Sequence, residues 1–163
     1  MSTPQVAIIK GSSSDWEIMK PAVDMLKKFG VAHEAKVISA HRATDMLLDY
    51  AGKLRERGFV AVIAGAGGAA HLAGVTAAKT TLPVLGVPIP SKYLKGMDSL
   101  LSTVQMPRGL PVATFAIGEP GAANAALYAV HNIAVTDTDM ADKLDIFRKE
   151  QEQMVRNSTL PTA

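Results

Sequence analysis

The sequence has no cysteine in its 163 residues, so disulfide bonds, thiolate metal ligands and a cysteine nucleophile are all excluded. Aromatic residues make up only 5% of the chain, and small aliphatic side chains must therefore fill most of the interior. No apolar run approaches the roughly 20 residues that a membrane-spanning helix needs. The apolar run nearest the N-terminus, residues 6–9, is too short for a signal peptide. These features predict a cytoplasmic protein with no membrane partner.

The charge of the chain is nearly balanced, with a formal net charge of +2. No stretch combines clustered lysine and arginine with aromatic residues, which disfavours a nucleic-acid partner. With 48% hydrophobic and 20% charged residues, the composition is typical of an ordered protein. We expect one domain over residues 1–163, with a core at about 5–135, a C-terminal helix at about 139–155 and a flexible tail at 156–163.

Short apolar runs alternate with segments of helical spacing. Each run is continuous, as expected for a buried strand of a parallel sheet, and the five predicted strands are residues 6–9, 36–38, 60–64, 84–87 and 112–117. Helices are predicted over 15–29, ending at Gly30, and over 44–57, with Thr44 as N-cap and Gly58 at the end. The pattern predicts an α/β domain of three layers around an open, parallel, five-stranded sheet.

Polar residues follow the first three predicted strands. Gly-Ser-Ser-Ser-Asp occupies residues 11–15, Ser-Ala-His-Arg occupies 39–42, and Gly-Ala-Gly-Gly-Ala-Ala-His occupies 65–71. In parallel sheets, ligands bind beyond the carboxyl ends of the strands. The three segments therefore predict a common site for a small molecule that carries a phosphate.

The serine-rich turn at 11–15 is a candidate phosphate or carboxylate cradle. Glycine permits a tight turn, the hydroxyls of Ser12 and Ser14 can donate, and the following helix offers unpaired amides. A carboxylate would repel phosphate, so Asp15 is better suited to ribose hydroxyls. The alternative is that Ser14 or Asp15 only caps the helix. The Lys-Thr pair of a nucleotide-binding P-loop is absent, which argues against ATP hydrolysis.

His41 and Arg42 are the most specific candidates for proton transfer and phosphate binding. Arginine binds phosphate through bidentate charged hydrogen bonds, and histidine gives and takes protons near neutral pH. A solvent-exposed pair without function is the alternative interpretation. His71 follows the glycine-rich segment, whereas His33 and His131 are interpreted as structural. No spacing of histidines and acids is typical of zinc ligands, so no metal is expected.

The glycine-rich segment at 65–71 matches a dinucleotide fingerprint only loosely. It follows the third predicted strand, Ala70 replaces the last glycine, and no acidic residue stands at the ribose-binding distance. A nicotinamide cofactor is therefore disfavoured. Glycines here would let the backbone approach a flat ring or a small neutral molecule, or would only allow tight packing of sheet and helix.

Six motifs, in order from about residue 5 to 132, resemble the N5-carboxyaminoimidazole ribonucleotide mutase family. They are Gly11-Ser12-x-Ser14-Asp15-Trp16, Ser39-Ala40-His41-Arg42, Gly65-Ala66-Gly67-Gly68-Ala69-Ala70-His71-Leu72, Leu85-Gly86-Val87-Pro88, Asp98-Ser99-Leu100 and Gln105-Met106-Pro107. The resemblance implies a flavodoxin-like domain that assembles as a homo-octamer. It also implies conversion of N5-carboxyaminoimidazole ribonucleotide to 4-carboxy-5-aminoimidazole ribonucleotide without ATP, metal or organic cofactor.

The resemblance also implies roles for individual residues. The expected ligands of the ribose phosphate are Ser12, Asp15 and Arg42, assisted by Ser14 and Ser39. His41 is the expected proton carrier, and the segment 65–71, including Ala66, Gly67 and His71, is expected to line the pocket for the base and carboxylate.

The chain departs from the family pattern at Lys10, at Ala43-Thr44 and at Ala73, and these departures concern the rigidity of loops more than chemistry. A sister class carboxylates aminoimidazole ribonucleotide directly with carbon dioxide. It typically has lysine after the histidine and lacks the glycine-alanine segment, so Arg42 and residues 65–71 favour the mutase. A nucleotide- or flavin-binding regulatory module with the same layers is the remaining alternative.

Overall fold

Strands and helices alternate along the chain in the computed structural model, which describes residues 5–14 and 16–160. The elements of this part of the chain are β1 (Gln5–Lys10), α1 (Trp16–Phe29), β2 (Ala32–Val37), α2 (Thr44–Lys53), β3 (Phe59–Gly67), α3 (Leu72–Lys79), β4 (Val84–Ile89), α4 (Met97–Val104), β5 (Ala113–Thr114), α5 (Glu119–Ala134) and α6 (Thr138–Arg156). The alternation confirms the predicted α/β class.

The strands form one parallel five-stranded sheet in the order β2-β1-β3-β4-β5. This is the flavodoxin-like order, and it confirms the predicted fold. The chain leaves β1 to build β2 on one side and then returns to build β3 on the other side. The crevice that this reversal opens, beyond the carboxyl ends of β1 and β3, is the usual ligand position in such sheets.

Two hydrophobic clusters cover the two faces of the sheet. Val6 and Ile8 of β1 pack with α1 and α5, while Ala7 and Ile9 pack with α2 and α3. Consecutive residues of one strand are thus buried on opposite faces, which explains the continuous apolar runs in the sequence.

Glycines end the first two helical segments as predicted. Gly30 has φ 72°, which permits the Val31 amide to donate to the Leu26 carbonyl at 2.9 Å. Gly58, with φ 84°, permits the same bond from Phe59 to Leu54 at 3.1 Å. The helix α2 itself ends earlier than predicted, at Lys53, and turns connect it to Gly58.

Two predictions near β2 are wrong. This strand was predicted to be buried over 36–38, but it spans Ala32–Val37, includes His33, and has no buried residue because it is an edge strand. Thr44 is not an N-cap: Ala43 holds that position, and the Thr44 hydroxyl donates back to the Ala40 carbonyl at 2.7 Å.

Two strands differ in length from their predictions. Strand β3 continues beyond residue 64 to Gly67, because β4 pairs with it as far as Ile89. Strand β5 covers only Ala113–Thr114 instead of 112–117. Pro88 of β4 has no amide hydrogen to offer to β5, so the ladder cannot continue in the regular way. The Phe115 amide still donates to Gly86, and the Gly118 amide donates to Pro88.

The last helix confirms its prediction to within a residue at each end, because α6 spans Thr138–Arg156. The Asp137 side chain caps it by accepting from the Met140 amide at 3.0 Å. Among the helices in residues 5–14 and 16–160, none has the length and apolar character needed to span a membrane.

Candidate active site

A cavity of about 550 Å³ lies at the carboxyl ends of β1, β3 and β4 and beside the segment that follows β2. Predicted site residues from all three polar segments line it together: Ser12, Ser39, His41, Arg42, Ala66, Gly67 and His71. The expected convergence of strand ends is therefore present. Ser14 stands beside this group, with its hydroxyl oxygen 2.5 Å from that of Ser12. Asp15 lies outside the described residues.

Arg42 lies against the serine turn. Its Nη2 donates to the Gly11 carbonyl at 3.1 Å, and its Nε donates to the Ser39 hydroxyl at 3.3 Å. The same hydroxyl accepts the Arg42 backbone amide at 3.2 Å. Ser39 thus fixes both the backbone and the side chain of Arg42, and the guanidinium lies where an anion on the serine turn would meet it.

His41 and His71 both line the cavity and contact each other directly. His41 Nε2 lies 2.7 Å from His71 Nδ1, and the rings meet edge to face with their centroids 4.9 Å apart. One of these nitrogens must donate and the other accept. A neutral pair holds two protons on its four ring nitrogens, and a third proton fits on an outer nitrogen without breaking the contact. A fourth proton would break it, so the pair can carry one extra proton while it stays joined.

The glycine-rich segment is held in place by α1 and α4. A Cβ atom on Gly65 would lie 2.5 Å from the Met19 sulfur, so tight packing explains this glycine. Gly68 has φ 68°, and its amide donates to the Ser99 hydroxyl at 2.9 Å. That fully buried hydroxyl donates in turn to the Ile89 carbonyl at 2.7 Å. The segment is therefore fixed before any ligand binds.

The segment after β4 also lines the cavity, through Pro90 and Ser91, and sequence reasoning missed it. The Ser91 hydroxyl donates to Asp98 at 2.6 Å and accepts the Gly96 amide at 3.2 Å. The hydrogen bond from the Ser91 hydroxyl lowers the pKa of the Asp98 carboxyl. Partial burial of the carboxyl opposes this effect, and the Ser99 amide, which donates to the same carboxyl at 2.9 Å, adds to it. The strand-end rule, applied to the apolar run at 84–87, would have pointed to this segment.

Replacing Asp98 with asparagine should remove an acid-sensitive part of the stability. The folded-state pKa of Asp98 is lowered, so its carboxylate stabilises the folded chain fully above the unfolded value of about 3.9, and this contribution is lost as pH falls through the folded pKa. The gap in free energy of unfolding between wild type and D98N should be constant above about pH 5 and should shrink below about pH 4. Urea unfolding from neutral to acid pH measures it, with D145N, at an exposed position of α6, as the control. A gap that does not change with pH contradicts the assignment.

Within the described chain, no three side chains of His, Asp or Glu form a group that could hold a metal ion. The prediction that the site works without metal or organic cofactor stays a prediction.

The sheet order and the cavity at its reversal point define the class as a flavodoxin-like α/β protein with a polar site at the carboxyl ends of its strands. The chain belongs to the AIR carboxylase family, whose model matches residues 5–154.

Relatives named N5-carboxyaminoimidazole ribonucleotide mutase confirm the family that the motifs predicted. The one from Bacillus subtilis (strain 168) is 58% identical over 156 residues, which cover 96% of each chain. The one from Saccharolobus solfataricus is 53% identical over 159 residues, covering 98% of this chain and 97% of that one. The crystal structure of Treponema denticola PurE matches with a TM-score of 0.83 and 27% identity, over 93% of this chain and 94% of that one.

Proposed function

We propose that the protein is an N5-carboxyaminoimidazole ribonucleotide mutase, an isomerase of de novo purine biosynthesis. It moves a carboxylate from the exocyclic nitrogen of the aminoimidazole ring to ring carbon 4. The observation that carries the proposal is the contact of His41 with His71 in a cavity that also contains Arg42 and the serine turn. The names of the relatives support the same reaction.

The phosphate of the ribonucleotide binds at the serine turn. Arg42 supplies a charge-assisted fork, Ser12 and Ser14 supply hydroxyls, and Ser39 orients the guanidinium. The start of α1 adds the positive end of a helix dipole. The predicted contact of Asp15 with the ribose stays a prediction.

The base and its carboxylate lie against the glycine-rich segment, beside the histidine pair. Gly67 has no side chain, and Ala66 has only a methyl group, so the backbone of β3 can approach a flat ring closely. Because Ser99 and Met19 hold this segment, it offers a fixed wall with room for a small neutral molecule.

The reaction needs one proton to be delivered and one to be removed. His41 protonates the exocyclic nitrogen, the bond from that nitrogen to the carboxylate carbon breaks, and carbon dioxide is released with an electron-rich ring. Carbon 4 attacks the carbon dioxide, and the proton on carbon 4 returns to His41. No atom is gained or lost. Holding carbon dioxide in the cavity avoids the entropy of a second encounter.

The histidine pair is suited to this cycle. The pair takes up one proton while its own hydrogen bond persists, and the reaction never needs more than one. His71 therefore orients the His41 ring and keeps its reactive nitrogen in a defined state. General acid–base catalysis of this kind is typically worth about 10²–10⁴-fold.

Direct carboxylation of aminoimidazole ribonucleotide is the second candidate, because the description of the family model names AIR carboxylase. To separate the two, the purified protein is given either the carbamate substrate or the uncarboxylated ribonucleotide with bicarbonate or carbon dioxide. A mutase forms product at low bicarbonate only from the carbamate. Product formed readily from the uncarboxylated ribonucleotide at low bicarbonate would contradict the proposal and identify the carboxylase.

We also propose that the chain assembles as the predicted octamer, in the predicted cytoplasmic location. Apolar side chains stay exposed along one stretch of the chain, at Tyr93, Leu94, Met97, Leu101 and Val104. Met97, Leu101 and Val104 lie about one helical turn apart and therefore share one face of α4. A helix face of this kind is typical of a subunit contact.

Changing Leu101 to glutamate should weaken this assembly. Leu101 is 52% exposed in the single chain, so the fold should tolerate a charge, whereas an apolar contact between subunits should not. Sedimentation velocity should show smaller particles for L101E than for wild type, with an unchanged circular dichroism spectrum. Ile146 of α6 is similarly exposed, and I146E serves as the control. Equal particle size for L101E and wild type would argue against α4 as the contact.

A further inference from the structure

The hydrogen-bond ladder between β3 and β4 stops at the edge of the cavity. The Val62 amide donates to the Pro83 carbonyl at 2.9 Å, and the two strands stay in register until Gly67 pairs with Ile89. A parallel ladder advances by two residues along each strand from one such bond to the next. Continued at the same step from Val62 and Pro83, the series would reach a bond from the Gly68 amide directly to the Ile89 carbonyl.

A serine hydroxyl from α4 occupies the position of that bond. The Gly68 amide donates to the Ser99 hydroxyl at 2.9 Å, and the hydroxyl donates to the Ile89 carbonyl at 2.7 Å. Ser99 is fully buried, so this arrangement is shielded from solvent. Two hydrogen bonds that meet at one oxygen hold the amide nitrogen and the carbonyl oxygen roughly 4–5 Å apart, whereas a direct hydrogen bond holds them roughly 3 Å apart. The ends of the two strands are therefore spread by the Ser99 side chain.

The spread strand ends border the cavity. Gly68 and Ile89 both line it, together with the residues that follow them, Ala69 and Pro90. Helix α4 also holds the other polar group of Gly68, because the Ser102 hydroxyl donates to the Gly68 carbonyl at 3.4 Å. The position of Gly68, and with it the wall against which the base is proposed to lie, thus depends on α4.

We infer that Ser99 is a positioning residue, whose hydroxyl acts as a spacer between β3 and β4 and keeps the pocket for the base open. The inference rests on the proposed function, because it takes the aminoimidazole ring as the group that lies against the glycine-rich segment. Without the hydroxyl, the Gly68 amide and the Ile89 carbonyl each lose a partner, and a bond between the two restores both. The glycine-rich segment then moves towards β4 and narrows the pocket.

Replacing Ser99 with alanine should therefore weaken the binding of the base and leave the binding of the phosphate unchanged. In titration calorimetry, the dissociation constant for aminoimidazole ribonucleotide should rise about tenfold, as when a ligand loses contacts equivalent to one hydrogen bond. The constant for ribose 5-phosphate should stay at the wild-type value, because the serine turn and Arg42 follow β1 and β2 rather than β3. Turnover of the carbamate substrate should fall by about 10²-fold, the cost of misplacing the reacting groups by about 1 Å.

Thr103 provides the matched control, since it is also buried on α4. Its hydroxyl donates to the Ser99 carbonyl of the same helix at 2.7 Å, and valine keeps the shape of the side chain. T103V should match wild type in turnover and in both affinities. If S99A weakens both ligands equally, or if T103V weakens them as much as S99A does, the loss reflects a general disruption of the fold and the inference is overturned.

A crystal structure of S99A tests the spacer directly. The Gly68 amide nitrogen should lie about 2.9 Å from the Ile89 carbonyl oxygen, at the distance of an ordinary ladder bond. An unchanged gap, whether empty or filled by a water molecule, would overturn the inference. Wild-type affinity and turnover in S99A would also overturn it and would leave the proposed function intact. If aminoimidazole ribonucleotide fails to bind even the wild-type protein, the proposed function is refuted, and the inference with it.

Discussion

Replacing His41 with asparagine should reduce turnover by about 10²–10⁴-fold while leaving ligand affinity close to wild type. Asparagine is polar and smaller than histidine, but it cannot give and take a proton near neutral pH. The proposed phosphate ligands, the serine turn and Arg42, are joined by the hydrogen bond from Arg42 to Gly11, and the substitution leaves that bond in place. Steady-state kinetics on the carbamate substrate measures turnover, and calorimetry with ribose 5-phosphate measures affinity.

A second histidine provides the matched control for H41N. His33 lies in β2, near the amino end of the sheet, and its ring bonds the Val31 carbonyl at 3.0 Å. H33N should keep normal turnover, because its ring is remote from the cavity. Turnover of H41N within a few-fold of wild type would remove His41 from the chemistry.

Replacing Arg42 with alanine should raise the Michaelis constant by about 10- to 100-fold, the cost of losing charge-assisted hydrogen bonds to a phosphate. Turnover at saturating substrate should change much less, since the phosphate is remote from the atoms that react. Kinetics over a wide range of substrate concentration separates the two constants.

Arg42→Lys and Ser39→Ala refine this prediction. Lysine keeps the charge but lacks the planar fork that reaches both Gly11 and Ser39, so R42K should lie between wild type and R42A. S39A removes only the side chain that orients the guanidinium, and its effect should be smaller than that of R42A. An unchanged Michaelis constant in R42A would mean that the phosphate binds elsewhere.

The fold and the location of the site could be predicted from the sequence, because both follow from local patterns of residues. Continuous apolar runs mark strands buried on both faces, and polar residues after such runs meet at one edge of a parallel sheet. The sequence alone therefore places Gly11, His41 and Gly67 at one site, and all three line the same cavity.

The contacts within the site could not be predicted in the same way. The distance of 2.7 Å between His41 and His71 depends on how two loops, 30 residues apart, are folded against each other. The burial of Lys10 depends on the neighbours of β1 in the sheet, and a charged residue at the end of an apolar run is more often exposed. The hydroxyl of Ser99 joins Gly68 to Ile89 across two elements, and no spacing in the sequence reveals this.

The errors at the sheet edges have a common physical cause. An apolar run shows that a strand exists, but not whether it has one neighbour or two. Val37 belongs to an edge strand and is 52% exposed, although its sequence context predicted burial. At the opposite edge of the sheet, Pro88 of β4 limits the pairing of β4 with β5. The length of β5 therefore depends on a residue of another strand, which the apolar run at 112–117 does not reveal.

The fate of the carboxylate carbon shows whether the carboxylate shift takes place within one cavity, without exchange of carbon dioxide with the solvent. The carbamate substrate is labelled with ¹³C at its carboxylate and mixed with the protein in excess unlabelled bicarbonate, and the product is analysed by mass spectrometry after a short reaction. Nearly every product molecule formed by the protein should keep the label. Product with the isotopic composition of the surrounding bicarbonate would show that the carbon dioxide comes from solution, and would contradict a transfer within the cavity.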